Sequence, residues 1–138
     1  MYGALDVSTS GMIAQRTRLA TISANIANSN TLVDSNGEYA PYRRRMVMFA
    51  PGDPNASSQD GASLGVHVAG IELDQSPFVP KFEPDSPFAD DEGYIMTPNI
   101  NPVVEQINAM ETARAYEANI VAAETSKTMM AQALRLLA

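Results

Sequence analysis

The sequence predicts an α+β protein, with paired long N- and C-terminal helices (a helical hairpin or coiled-coil-like unit) and a small β-rich middle module. Three observations predict it. All nine prolines of the 138 residues lie between Pro41 and Pro102, so both ends lack the residue that breaks helices. Six of the eight glycines lie between Gly37 and Gly93. Apolar residues recur at helical spacing at both ends and alternate in the middle, where a period of two marks strands. An apolar fraction of 45% with 18% charged residues describes a chain that folds rather than a disordered one. The length allows one domain, or one small domain with appendages.

In the N-terminal segment Leu5, Met12, Leu19 and Ile26 repeat every seven residues, with Ile22 three after Leu19. Gln15, Arg16, Arg18 and Ser23 occupy the opposite face. This spacing predicts an amphipathic helix over about residues 4–28, weakly interrupted at Gly11. It ends at Asn28-Ser29-Asn30-Thr31, where short polar side chains compete for backbone hydrogen bonds.

The C-terminal helix has a sharper start. Asn101 is a favourable N-cap, Pro102 suits the first helical position, and Glu105 adds negative charge near the positive end of the dipole. Ala109, Ala113, Tyr116, Ile120, Ala123, Met130, Leu134 and Leu137 follow in steps of three and four, with Lys127 breaking the series. Some 35 residues at ~1.5 Å each make a rod of roughly 50 Å, longer than a domain of this size needs.

The middle reads as short strands joined by long loops. Met46 to Phe49 and the alternating Leu64, Val66 and Val68 are strand-like, and Ile71 and Leu73 continue the second. Pro77, Pro80, Pro84 and Pro87 then impose extended or turn conformations. So small a module cannot cover two long apolar stripes. The stripes must pair with each other, with copies of the chain, or both.

The composition excludes several functions. Without cysteine there are no disulfides, thiol nucleophiles or Cys-ligated metals. With His67 as the one histidine, no site needing two imidazoles is possible. No stretch approaches the ~20 apolar residues of a membrane span, and Asp6 with Ser8, Thr9 and Ser10 interrupts any Sec-type signal. The net charge of −7 is local: residues 51–100 hold Lys81 against nine acids, net −8, whereas residues 1–50 hold five Arg against three acids, net +2. That balance disfavours nucleic acid as a partner.

Few residues suggest chemistry. Asp85, Asp90, Asp91 and Glu92 form an acidic loop without EF-hand spacing, and read as solvated rather than as a Ca²⁺ site. Arg43-Arg44-Arg45 reads as a strand start or a source of interface ion pairs. His67 lies opposite Val66 and Val68 on its strand and reads as a surface or interface residue. The eight methionines read as adaptable packing. No enzyme is expected, and no metal or cofactor.

The segment Ser23-Ala24-Asn25-Ile26-Ala27-Asn28-Ser29-Asn30-Thr31 resembles the N-terminal motif of the bacterial flagellar rod, hook and hook-associated proteins. Asn108-Ala109-Met110-Glu111, Arg114 to Asn119 and Ala133 to Leu137 resemble their closing helix. Gly93-Tyr94, Pro98-Asn99-Ile100-Asn101, Arg44-Arg45, Phe49-Ala50, Asp74 and Ser76-Pro77 are similar to a short proximal-rod member. The resemblance spans most of the chain and is loosest over residues 52–63. One departure is informative. Many such proteins follow the motif with glycine, an aromatic and a basic residue, whereas Thr31 here precedes Leu32-Val33-Asp34-Ser35. This disfavours the neighbouring short rod protein of the FlgB type, and the longer distal-rod and hook proteins.

The resemblance implies a structural subunit of the proximal rod. Residues 1–31 and 100–138 would be the helical assembly domain of an inner tube, and residues 32–99 the outer domain. Such subunits polymerise into a hollow drive shaft that transmits torque and encloses an export channel. They are exported through the flagellar type III apparatus, without a cleaved signal and without membrane insertion, to a rod that crosses the periplasm. The expected partners are copies of the chain, other rod proteins and that apparatus. The expected assembly residues are Leu5, Met12, Leu19, Ile22 and Ile26 with Tyr116, Ile120, Met130, Leu134 and Leu137. The polar motif residues Asn25, Asn28 and Asn30, with Ile26, Ala27 and Thr31, are expected to cap or bridge helices. The alternatives are the FlgB type and, from another class, an acidic Ca²⁺-binding interaction module using residues 85–92.

Overall fold

The computed structural model describes residues 2–137. Helix α1 (Tyr2–Ala27) and helix α3 (Pro102–Leu137) are the two predicted terminal helices, α1 beginning two residues earlier and ending one residue earlier than expected. Asn101 caps α3 as its residue type predicts: its Oδ1 accepts from the Val103 and Val104 N–H groups at 3.0 and 3.4 Å. At the end of α1, Asn28 Nδ2 donates to the Ala24 carbonyl (2.9 Å) and Asn28 Oδ1 accepts from the Thr31 hydroxyl (3.1 Å). Asn28 thus closes the helix and starts the exit loop. Asn30 is exposed.

The helices run antiparallel. A Cβ added at Gly11 would meet the Asn119 carboxamide, and Asn25 Nδ2 donates to Glu105 Oε2, so equal steps along α1 and α3 go in opposite directions. That register sets Tyr2 level with residue 128. Residues 129–137 therefore overhang α1, by about 14 Å at 1.5 Å per residue.

Between the helices lie two two-stranded antiparallel sheets. Strand β1 (Arg45–Pro51) pairs with β2 (Val66–Leu73), from Arg45 opposite Leu73 to Pro51 opposite Val66, with a register shift at Met48/Phe49. Strand β3 (Val79–Phe82) pairs with β4 (Tyr94–Thr97). The sequence did not separate these two ribbons, nor foresee the short helix α2 (Gln59–Leu64). Its Ser58 cap accepts from the Gly61 N–H at 3.0 Å.

Side chains guard the outer edge of β4 and the start of β2, a common device on short exposed strands. The Tyr39 hydroxyl donates to the Met96 carbonyl and accepts from the Met96 N–H, both at 2.8 Å, and so occupies the outer edge of β4. Ser10 of α1 accepts from the Val66 N–H at 3.0 Å at the start of β2. Pro80 gives β3 a position without a donor. Tyr39 also stacks on Phe88 with centroids 5.0 Å apart, and Phe82 meets Tyr94 edge-on at 5.3 Å. Ile95, on the opposite face of β4 from Tyr94, is buried.

Candidate functional site: the helix pair and its polar clasp

The face that α1 buries is not the apolar stripe. Buried on α1 are Ser8, Ser10, Ala14, Thr21, Ile22 and Asn25, mostly small or polar. Small residues let the two backbones approach closely. Gly11 is a contact point rather than a weak interruption, since a Cβ there would lie 2.8 Å from Asn119 Oδ1. Buried hydroxyls turn back onto their own helices: Thr21 donates to the Thr17 carbonyl (3.0 Å) and Thr112 to the Asn108 carbonyl (2.7 Å). Of the expected assembly residues Ile22 is buried, and Leu5, Met12, Leu19, Ile26, Tyr116, Ile120 and Met130 are half-buried. Leu134 and Leu137 stand in solvent on the overhang, at 68% and 86% exposure.

Where α1, α3 and the middle module meet, Asn25 and Glu105 anchor a polar clasp; each is 1% exposed. The Asn25 carboxamide behaves as a piece of strand. Its Oδ1 accepts from the Arg45 N–H and its Nδ2 donates to the Arg45 carbonyl, both at 2.9 Å. The Tyr42 hydroxyl adds a donor to the same Oδ1 at 3.3 Å. Glu105 Oε1 accepts from Arg44 Nε at 2.8 Å and pairs with a terminal guanidinium nitrogen at 2.7 Å. Arg44 also approaches Asp74 Oδ2 at 3.7 Å, and the Asp74 N–H donates to the Arg44 carbonyl at 2.8 Å. The Asp74 carboxyl is held below its ordinary range, first by the Ser76 hydroxyl and backbone N–H, then by Arg44 and Arg43, with burial opposing. Arg43 lies over the Phe78 ring at 4.4 Å and donates to the Asp74 carbonyl at 3.1 Å. The arginine run thus supplies contacts within the chain: Arg43 and Arg44 both reach Asp74, Arg44 also holds Glu105, and Arg45 lies over the Tyr42 ring at 5.5 Å.

A second attachment holds the N-terminal half of α1. Asp6 accepts from the Ser57 hydroxyl (3.1 Å) and the Ser58 N–H (3.0 Å) just before α2. These serines hold the Asp6 carboxyl low, the Ser58 side chain contributing most. Gly61 packs so closely on the Asp6 side chain that any Cβ would overlap it. His67 Nδ1 donates to the Gly52 carbonyl at 2.7 Å, since a carbonyl only accepts.

In the acidic loop Asp90 Oδ1 is taken up by the Glu92 and Tyr94 N–H groups at 3.0 and 2.8 Å. Among the described residues no group of three or more acidic or histidine side chains is placed to hold a metal, and no helix is long and apolar enough to cross a membrane.

Two long terminal helices bound by a clasp to a small β module match the architecture that the flagellar resemblance implied, and family models match both ends of the chain. Residues 5–32 match the family described as flagella basal body rod protein, and residues 91–136 match the flagellar basal body rod FlgEFG protein C-terminal family. The flagellar basal-body rod protein FlgC of Bacillus subtilis is 36% identical, with 98% of this chain and 97% of the relative covered. FlgC of Borreliella burgdorferi is 37% identical over 99% and 97%, and that of Salmonella typhimurium 36% over 95% and 93%. The chain belongs to the FlgC family of flagellar basal-body rod proteins, and is a structural subunit of the bacterial flagellar basal-body rod.

Proposed function

We propose that the chain polymerises through its terminal helices, residues 1–31 and 100–138, into the proximal part of a hollow rod. Residues 32–99 form the outer domain. The tube transmits torque and encloses the export channel. The subunit reaches it through the flagellar type III apparatus, and it catalyses no reaction.

One observation carries this reading: the isolated chain leaves too much surface uncovered. Its accessible area is 9201 Å², against about 7,000 Å² for a compact monomer of its size. The excess is of the order that stable subunit contacts remove. Among the described residues the buried apolar side chains are Ala14, Ile22 and Ile95, whereas Val103, Val104, Ile107, Met110, Val121, Met129, Leu134, Leu136 and Leu137 of α3 are exposed. A helix with apolar residues on its outer faces needs partners around it. Heterologous, non-closing contacts between copies generate a helical tube.

Leu134→Asp tests the reading cleanly, because Leu134 supports nothing within the chain. Cells carrying it should export the subunit normally, lack assembled rods and be non-motile. Normal motility would sink the proposal.

A further inference from the structure

The free edge of β1 opens into a groove of about 290 Å³ between α1 and α3, lined by Arg18, Ile22, Arg45, Val47, Phe49 and Asn108 among others. The N–H and C=O of a strand residue point to one side, and sides alternate along the strand. The Arg44 carbonyl accepts from Asp74 on the β2 side, so Arg45, Val47 and Phe49 direct their backbone groups into the groove. Asn25 already occupies the position at Arg45. The groove wall carries Arg18, Arg44 and Arg45 against the single carboxylate Glu105, a net charge of +2. Among the described residues Arg18 and Arg45 meet no carboxylate.

The complementary surface lies elsewhere on the same chain. Asp90, Asp91 and Glu92 project between β3 and β4, and are exposed without a cation partner among the described residues. Their turn is preformed. Asp90 Oδ1 takes the Glu92 and Tyr94 N–H groups, the Asp90 N–H donates to the Tyr94 carbonyl at 2.9 Å, and Gly93 supplies φ +83°. Little ordering entropy is lost when such a turn docks.

We propose that the Asp90–Gly93 turn of a second copy seats in this groove. Its Asp91 and Glu92 carboxylates face Arg18, Arg45 and the free N–H groups of Val47 and Phe49. The contact joins two different patches, so it propagates instead of closing on a pair. It rests on the assembly of copies proposed above and names a contact, between the outer domain of one copy and the helix–β1 groove of the next, that aligns them. Exposed ion pairs add modest affinity, but they select register and exclude wrong neighbours.

The absence of cysteine makes the test direct. Two full-length chains, one Arg18→Cys and one Glu92→Cys, are co-expressed in cells lacking the native subunit, and disulfides are formed by mild oxidation of isolated basal bodies. A mixed dimer should form, whereas Ser63→Cys paired with Glu92→Cys should give none. Adding Arg45→Glu to the first chain should cut the yield about tenfold, and adding Asp91→Lys to the second should restore it. Motile cells without the mixed dimer would overturn this contact while leaving the rod reading intact. A yield indifferent to both charge changes would overturn it too. Loss of rods in the Leu134→Asp cells concerns only the helices and is scored separately.

Discussion

Replacing Glu105 by Ala removes the residue on which the clasp converges, and the structure sets the size of the effect. The carboxylate is 1% exposed and takes two contacts from Arg44 and one from Asn25. Breaking a fully buried ion pair costs about 3–5 kcal/mol. Here the Arg44 side chain keeps 26% of its exposure and retains Asp74 at 3.7 Å, so hydration and the second acid recover part of that, leaving about 2–3 kcal/mol. Asn25 keeps its two bonds to Arg45, so its loss is small. With a urea slope of about 2 kcal/mol/M, Glu105→Ala should lower the unfolding midpoint by about 1–1.5 M, followed by circular dichroism at the helical band. Glu105→Gln, which keeps the shape, should cost about half as much. A cycle with Arg44→Met should show about 1–3 kcal/mol of coupling. The coupling should change little with added salt, because a buried pair is weakly screened. A midpoint moved by less than ~0.2 M, or zero coupling in the cycle, would refute the claim that this clasp binds the middle module to the helices.

Three further outcomes follow from the same geometry. Gly61→Ala should destabilise by about 1–3 kcal/mol, because its Cβ meets Ser58 Oγ at 2.9 Å and overlaps Asp6; amide exchange should rise first in α2. Tyr39→Phe should cost about 1–2 kcal/mol, since it strips both bonds from Met96, and exchange at the Met96 amide would report it. Asp6 and Asp74 titrate below their unfolded value of 3.8. Their stabilisation is therefore present above about pH 4 and lost as pH falls through the folded values. Asp74→Asn should flatten the stability profile below pH 4 and leave the pH dependence near neutrality unchanged.

Much of the protein was already readable in residue order. Prolines and glycines confined to the middle, with Asn101 and Pro102 at the head of α3, placed both helices to within two residues, because capping and helix breaking are local effects. The motif around Asn25 and the closing helix pointed to the flagellar axial proteins, and the relatives bear that out. Several features were legible only in part. The arginine run was seen as a strand start or a source of ion pairs, but not which arginine meets which acid. Asn25 was expected to cap or bridge, whereas its use as a surrogate strand depends on where β1 passes.

Composition and periodicity by themselves determined that the ends are helical, that the middle is not, and that the chain has apolar surface to share. Only the tertiary structure decided which face each helix turns inward. The heptad stripe of Leu5, Met12 and Leu19 stays half-buried, while Gly11, Ala14, Thr21 and Asn25 take the closest contacts. Hydrophobic periodicity reports that an apolar face will be covered, but not by which partner. The antiparallel register, the overhang carrying Leu134 and Leu137, and the meeting of Asn25, Arg44 and Glu105 arise between residues 20 to 108 positions apart. Such contacts depend on where the chain returns in space, which no local pattern encodes.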